Sequence, residues 1–258
     1  MEGLSWNLKR RVGGVRHLFP SSHYVLLAVL FMVGLELIFS LQRWVVGVAA
    51  VVVFVVAVGV VLLRIEEQGG FHPIQTVLPI LATIGSSGFA FLLPNARILH
   101  VYIWAAGLML YFLLKHGARM AYPVWNWIIS FAVFFLNTAF LLGLRFHLYI
   151  PVLLLLFLIF LLAFAMVAQA IRRIAPTLHL GLLPMLGFTL VLTETVWVLQ
   201  FLPSHYLVQA GIVTVLYYII FNLLRISYRR RVAWADILEY VGVGVVATLI
   251  ISFNANWT

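Results

Sequence analysis

The feature that most constrains the fold is a succession of nine long apolar runs, separated by charged residues, Pro or Gly. A membrane-spanning helix needs about 20 apolar residues to cross roughly 30 Å of hydrocarbon, and these runs approach that length. Hydrophobic residues make up 65% of the 258 residues and charged residues 9%. Soluble domains carry about 25% charged residues. The bilayer must therefore solvate most of this chain.

We predict an all-α integral membrane protein of nine transmembrane helices. Eight is the alternative, because the last run is short enough to lie at the interface. The runs are continuous and do not alternate between polar and apolar residues, which disfavours the strands of a membrane β-barrel. The predicted spans are residues 23–41, 44–63, 74–93, 98–114, 124–144, 148–170, 180–202, 206–224 and 237–253.

Two parts of the chain differ in composition. Residues 1–20 form a basic segment, which we expect on the cytoplasmic side, either solvated or along the inner membrane surface. Residues 21–258 form a single polytopic transmembrane domain. Its connections are short, so any site must lie in the membrane, at its surfaces or between subunits.

The positions of the basic residues predict the orientation. If the N-terminus is cytoplasmic, thirteen of the 16 Lys and Arg residues lie inside, and three, namely Arg43, Arg97 and Arg145, lie outside. This asymmetry follows the positive-inside rule and predicts a multi-pass protein of the cytoplasmic membrane, with its C-terminus outside if there are nine spans. It also accounts for the net charge of +9. We therefore expect anionic lipids at the cytoplasmic face, and no nucleic acid, as partners.

Several kinds of site are disfavoured by composition. The chain contains no Cys, so disulfides, thiolate metal sites and Cys nucleophiles are excluded. No His lies deep enough in a span for haem, and Lys9 and Lys115 are too close to the inner surface for a retinal linkage. We expect no cofactor. No nucleophile–base or metal-protease motif is found. The sequence therefore disfavours an enzyme but leaves enzymatic activity as an alternative.

A helical hairpin repeat is predicted from two similar pairs of spans. In the first pair of spans, Glu36 precedes Gln42 by six residues, and the pair ends with the sequence Leu-Leu-Arg-Ile at 62–65. In the second pair, Glu194 precedes Gln200 by six residues, and the same four-residue sequence occupies 223–226. Polar residues near 87 and 137 continue a period of about 50 residues. We predict four parallel-repeat hairpins plus a C-terminal helix. Chance alignment of apolar runs is the alternative.

Glu36 and Glu194 are the acids that lie well inside predicted spans. An acid near mid-membrane costs roughly 2.5–3.5 kcal/mol on insertion scales, so it usually faces a cavity or a partner. Asn137 and Ser87 lie at similar predicted depth, and Thr195 and Tyr217 are candidate neighbours of Glu194. We predict a substrate or ion site in one polar layer formed by these residues. The alternative is separate interhelical hydrogen bonds.

Two further patterns leave alternatives open. Three imidazoles, His100, His147 and His205, lie near the outer ends of spans; they are weak metal candidates, and hydrogen bonds at the interface are the commoner role. In span 3, Gly85 and Gly88 flank two serines. They either let another helix pack closely or let this helix break.

Short motifs resemble those of an uncharacterised family of multi-spanning membrane proteins from candidate-phyla bacteria. They are Val-Leu-Pro at 77–79, Phe-Leu-Leu-Pro at 91–94, Glu194, Leu-Pro at 202–203, Tyr-Tyr at 217–218 and the final Trp-Thr. The resemblance covers most of the chain. It implies no particular activity, so no functional residue is carried over from it.

Three functions remain as hypotheses. A small transporter or channel-like protein with its polar layer around Glu194 comes first. A membrane scaffold or assembly protein, with a homo-oligomeric or membrane-protein partner, comes second. An intramembrane enzyme acting on lipid comes third. Fold class alone does not separate them.

Overall fold

The computed structural model describes residues 22–40, 45–68, 73–93, 95–117, 123–174, 182–229 and 233–253, so the predicted N-terminal segment lies outside the described residues. Every regular element in the described part is an α-helix, which confirms the predicted all-α fold. The helices are α1 (Ser22–Ser40), α2 (Val45–Gln68), α3 (Pro73–Ala90), α4 (Ala96–Gly117), α5 (Pro123–Leu148), α6 (Val152–Ile174), α7 (Leu182–Leu199), α8 (Tyr206–Arg229) and α9 (Trp234–Phe253).

Each predicted span coincides with one of these helices. Seven of them are long and apolar enough to cross a membrane. The other two, α2 and α3, contain shorter apolar stretches, Gly47–Leu63 and Thr76–Ala90. The chain is therefore a multi-pass helical membrane protein, whose apolar helices contact lipid.

The bundle has two apolar cores. In one, α1, α2 and α4 pack together around residues such as Phe31, Val56 and Leu110. In the other, α3 and α5 to α8 pack around residues such as Phe134 and Tyr217. The two helices of each predicted hairpin contact one another.

Helix α3 joins the two cores. It packs against α1, α2 and α4 on one side and against α5 and α6 on the other. It is continuous through Gly85 and Gly88, so the helix does not break there. Instead, a Cβ on Gly85 would meet the side chain of Asn137, and one on Gly88 would meet the ring of Phe140. These glycines allow α5, which runs parallel to α3, to approach α3 closely.

The boundary between α5 and α6 corrects the prediction that span 6 begins at Leu148. Leu148 is the last residue of α5. Tyr149 takes a left-handed conformation, with φ of 53°, which ends a helix. Pro151 then disfavours helical backbone at Ile150, so α6 begins only at Val152.

Helix α9 packs against α8. Its first turn is capped by Asp236, whose Oδ2 accepts a hydrogen bond from the Ala233 backbone N–H at 3.1 Å. An acid in the first turn also interacts favourably with the helix dipole. The ninth run is thus a helix of 20 residues, long enough to span.

Candidate functional site

Glu194 lies on the side of α7 that faces away from the bundle. The residues of α7 that are buried against α6 and α8 are Thr189, Leu192, Val196 and Leu199. Glu194 is exposed and, within the described part of the chain, has no hydrogen-bond or ion-pair partner. It precedes the end of α7 by five residues, about 7.5 Å along the helix axis.

The side chains beside Glu194 on this surface are large and apolar. We define the α7 outer face as Leu190, Val191, Glu194, Trp197 and Val198. The four apolar members are between 45% and 58% exposed. Since residues three and four apart share one side of a helix, these five form a continuous stripe with the carboxyl near its middle.

The threonines next to Glu194 are occupied within their own helix. Thr193 Oγ1 donates to the Thr189 carbonyl at 2.9 Å, and Thr195 Oγ1 donates to the Val191 carbonyl at 2.8 Å. Such bonds to the preceding turn satisfy a hydroxyl in an apolar medium without another helix. Thr195 therefore gives Glu194 no hydrogen bond.

Two other candidate neighbours are held elsewhere. Tyr217 is 2% exposed; its hydroxyl donates to the Met166 carbonyl at 3.4 Å, and its ring stacks on Phe134 at 4.4 Å between centroids. On α8, Gln209 is also engaged elsewhere, since its Oε1 accepts from Gln200 Nε2 at 3.1 Å. These bonds organise the α6–α8 contact and the α7–α8 turn.

Asn137 joins α5 to α3. Its Nδ2 donates to the Leu81 carbonyl of α3 and to the Val133 carbonyl of α5, both at 2.8 Å. The residue also lines a cleft of about 220 Å³ between α3, α5 and α6. The other lining residues are apolar: Leu81, Ile84, Phe140, Leu141, Leu158, Leu161 and Leu162. The cleft thus combines an amide with an otherwise hydrocarbon-like wall.

Three hydroxyls on α3 and α5 are buried: those of Ser86, Ser87 and Thr138. None of them has a hydrogen-bond partner among the residues described. The Ser86 carbonyl, in contrast, accepts from the Tyr102 hydroxyl at 3.1 Å. Buried polar atoms in native proteins are usually paired, and exceptions point to water, a ligand or a functional role.

Glu36 forms a pair that sequence reasoning did not anticipate. Its Oε1 lies 2.9 Å from Nδ1 of His100, and the two side chains are 43% and 60% exposed. An imidazole nitrogen that carries hydrogen can donate to a carboxylate oxygen at this distance. The bond joins α1 to α4 near the end of the bundle where the odd-numbered helices end. We call this the predicted outer end, because the charge pattern predicts that it faces outward.

The other two imidazoles meet at the same end of the bundle. The ring of Phe146 packs against His147 at 5.2 Å and His205 at 5.9 Å between centroids. Burial lowers the pKa of His205, and the nearby His147 lowers this pKa further. His100 is engaged with Glu36, and the described residues contain no cluster of three His, Asp or Glu side chains able to hold a metal.

The predicted polar layer is thus distributed over several helices. Glu36 bonds to α4, Asn137 bonds to α3, Ser87 is buried within α3, and Glu194 faces away from the bundle. No hydrogen bond joins these four residues to one another within the described part. The sequence did contain an indication of the Glu36–His100 pair. Glu36 lies near the end of predicted span 1 and His100 near the start of predicted span 4, so both are expected at a similar depth.

Comparisons with known proteins leave the site to be interpreted from its geometry. The chain matches no protein-family model, no curated protein and no solved structure.

Proposed function

We propose that this chain is a membrane-embedded assembly protein that binds a transmembrane partner through the α7 outer face. The observation that carries this proposal is Glu194, an acid exposed between apolar side chains on the outside of the bundle. Ionisable residues in transmembrane segments usually face a bundle interior, a watery cavity or a partner. Neither of the first two surrounds Glu194, which supports the third.

The rest of α7 supports the same role. Among the described helices, α7 packs mainly against α6 and α8, and the large apolar residues on its outward side are about half exposed. Leu190 and Trp197 flank the carboxyl and would pack against a second helix. Interhelical hydrogen bonds in membranes contribute up to about 1–2 kcal/mol, so a single carboxyl can select a partner.

Photocrosslinking in native membranes tests this proposal. A benzophenone amino acid at Trp197 should give a protein adduct of one defined mass, whereas the same probe at Trp104 should give lipid adducts. Trp104 is a matched control because it is the same residue type, exposed 64% against 50% for Trp197.

The adduct should also depend on the carboxyl. It should be lost in Glu194→Leu, which keeps the apolar surface, and kept in Glu194→Gln, which keeps a hydrogen-bonding group. Lipid adducts alone at Trp197 would contradict the assembly proposal.

A small transporter is the second candidate, and the cleft at Asn137 favours it. Asn137 would supply the polar group in the cleft, and the hydroxyls of Ser87 and Thr138 are buried on the same two helices, α3 and α5. Under this candidate, Leu161→Trp should fill the cleft and reduce proton flux into proteoliposomes severalfold, measured with an enclosed pH-sensitive dye. Leu154→Trp is the control, since both leucines are on α6 and 47% exposed. Equal flux in the two variants would rule out this route.

A further inference from the structure

We infer that the partner on the α7 outer face is a second copy of this chain, in a parallel two-fold dimer with the Glu194 side chains near its axis. This inference rests on the proposed assembly function and identifies the partner. It follows from the symmetry that a membrane imposes on a dimer, from the chemistry of the Glu194 carboxyl group and from the spacing of the residues along the α7 outer face.

The membrane restricts how two copies can meet. All copies are inserted in the same orientation, so a closed dimer has its two-fold axis along the membrane normal. In such an isologous interface the same patch is used by both subunits. The α7 outer face of one copy then meets the α7 outer face of the other, and each residue near the axis meets its own counterpart at equal depth.

The polar groups of this face complement themselves. A carboxyl group that holds a proton is both a donor and an acceptor, and two carboxyl groups placed together share a proton readily. Trp197, one turn from Glu194, is 50% exposed and adds an indole N–H, which can only donate. Donor and acceptor thus lie on one stripe, so a second copy can satisfy Glu194 without a basic residue.

The spacing of the face suits helix-on-helix packing. Leu190, Glu194 and Trp197 are separated by four and then three residues, the alternation found along the seam of two left-handed supercoiled helices. Helix α9 provides a contrast. It is the least buried of the seven long apolar helices. Glu239 is exposed near its start, but the large exposed side chains from Val241 to Ile250 are apolar, as contact with lipid requires.

Disulfide trapping tests the inference, and the chain has no Cys to interfere. Leu190→Cys should give an oxidised homodimer in native membranes. The matched control is Leu154→Cys on α6, which is 47% exposed against 49% for Leu190 and should stay monomeric. Two differently tagged copies, expressed together, should co-purify through the Leu190→Cys disulfide.

The carboxyl should set the strength of the dimer. Glu194→Leu should weaken association about five- to thirtyfold, the equivalent of the 1–2 kcal/mol typical of interhelical hydrogen bonds. Glu194→Gln should retain most of the association. Both can be measured by energy transfer between labelled copies as their density in vesicles is varied, with the melting temperature confirming that each variant is folded.

The outcomes separate this inference from the assembly proposal. If Leu190→Cys forms no more dimer than Leu154→Cys, while the probe at Trp197 still captures another protein, the second copy is excluded and the assembly function stands. If Trp197 captures lipid alone, both are excluded. Association of Glu194→Leu equal to that of the parent chain would exclude the carboxyl as the determinant.

Discussion

The contact between Glu36 and His100 joins residues that are 64 positions apart. Both side chains are about half exposed, and ion pairs in such settings contribute about 0.2–1 kcal/mol. A double-mutant cycle of Glu36→Gln and His100→Ala should therefore give a coupling energy in that range for thermal unfolding in nanodiscs. The same cycle with His147→Ala should be additive, because His147 does not contact Glu36. Zero coupling between Glu36 and His100 would contradict the bond.

His205 should make stability depend on pH. Its pKa in the folded chain lies below the ordinary value of 6.5, because of burial and of His147. The unfolded chain consequently binds more protons in acid, and the free energy of unfolding falls as the pH drops below about 6.5. The measurement is the melting temperature between pH 8 and pH 5.

His205→Gln should reduce that pH dependence. His23→Gln, at the opposite end of the bundle, is the control and should leave the dependence as it is in the parent chain. Identical pH profiles for the parent and His205→Gln would show that His205 does not contribute.

At the level of single residues, the sequence predicts which groups are unusual but not what they touch. Glu36 and Glu194 stand out equally, because an acid in an apolar run is conspicuous. Glu36 contacts the imidazole of His100, whereas Glu194 faces away from the bundle. The difference depends on which way each helix is rotated in the bundle, and the neighbours that fix this rotation are remote in the chain.

Helix α3 should tolerate no side chain at the point where α5 approaches. A Cβ on Gly85 would lie 2.7 Å from Cγ and 3.0 Å from the backbone N of Asn137, and a backbone atom cannot swing aside. Gly85→Ala should thus lower the free energy of unfolding by about 1–3 kcal/mol, as overpacking does.

Gly187 of α7 provides the control for that substitution. Nothing lies within 4 Å of a Cβ built there. Gly187→Ala should be neutral or stabilise by up to about 1 kcal/mol, because Ala is the better helix former. Both variants can be compared by thermal unfolding in the same nanodiscs. Equal loss in the two would exclude close α3–α5 packing as the cause.

The positions of the helices were predictable from hydropathy, since each apolar run must be helical to satisfy its backbone in lipid. Their ends depend on local backbone chemistry that hydropathy does not register. Tyr149 and Pro151, for example, move the start of α6 to Val152. Helix α3 contains more polar residues than a typical span, because it is surrounded by other helices and can carry Thr83, Ser86 and Ser87 away from lipid.

Across the whole molecule, the distribution of charge predicts the orientation, and single cysteines in this Cys-free chain can test it. Asn95→Cys, between α3 and α4, should react with a membrane-impermeant maleimide in intact cells. Lys115→Cys, near the other end of α4, should react only after permeabilisation. The reverse pattern would invert the orientation predicted from the basic residues.

The nine helices of the described residues and their alternating directions could be predicted, because short connections force successive spans to run in opposite directions. The pairing of the helices could not. Helix α4 packs against α1, and α3 packs against α5. These pairs are selected by the close approaches of Met32 to Gly107 and of Phe140 to Gly88, which no periodicity in the chain reveals.

The pairing of α3 with α5 has a consequence for synthesis on the ribosome. The surface of α3 around Gly88 is complete about fifty residues before Phe140 is made, a wait of about 3–10 s at usual elongation rates. Meanwhile α4 can return to α1 and close the first core. In a nascent chain that stalls in this interval, the core of α1, α2 and α4 would be packed, but the surface of α3 around Gly88 would not yet be covered by α5. A membrane chaperone or the insertion machinery would bind the chain at that surface until α5 is made.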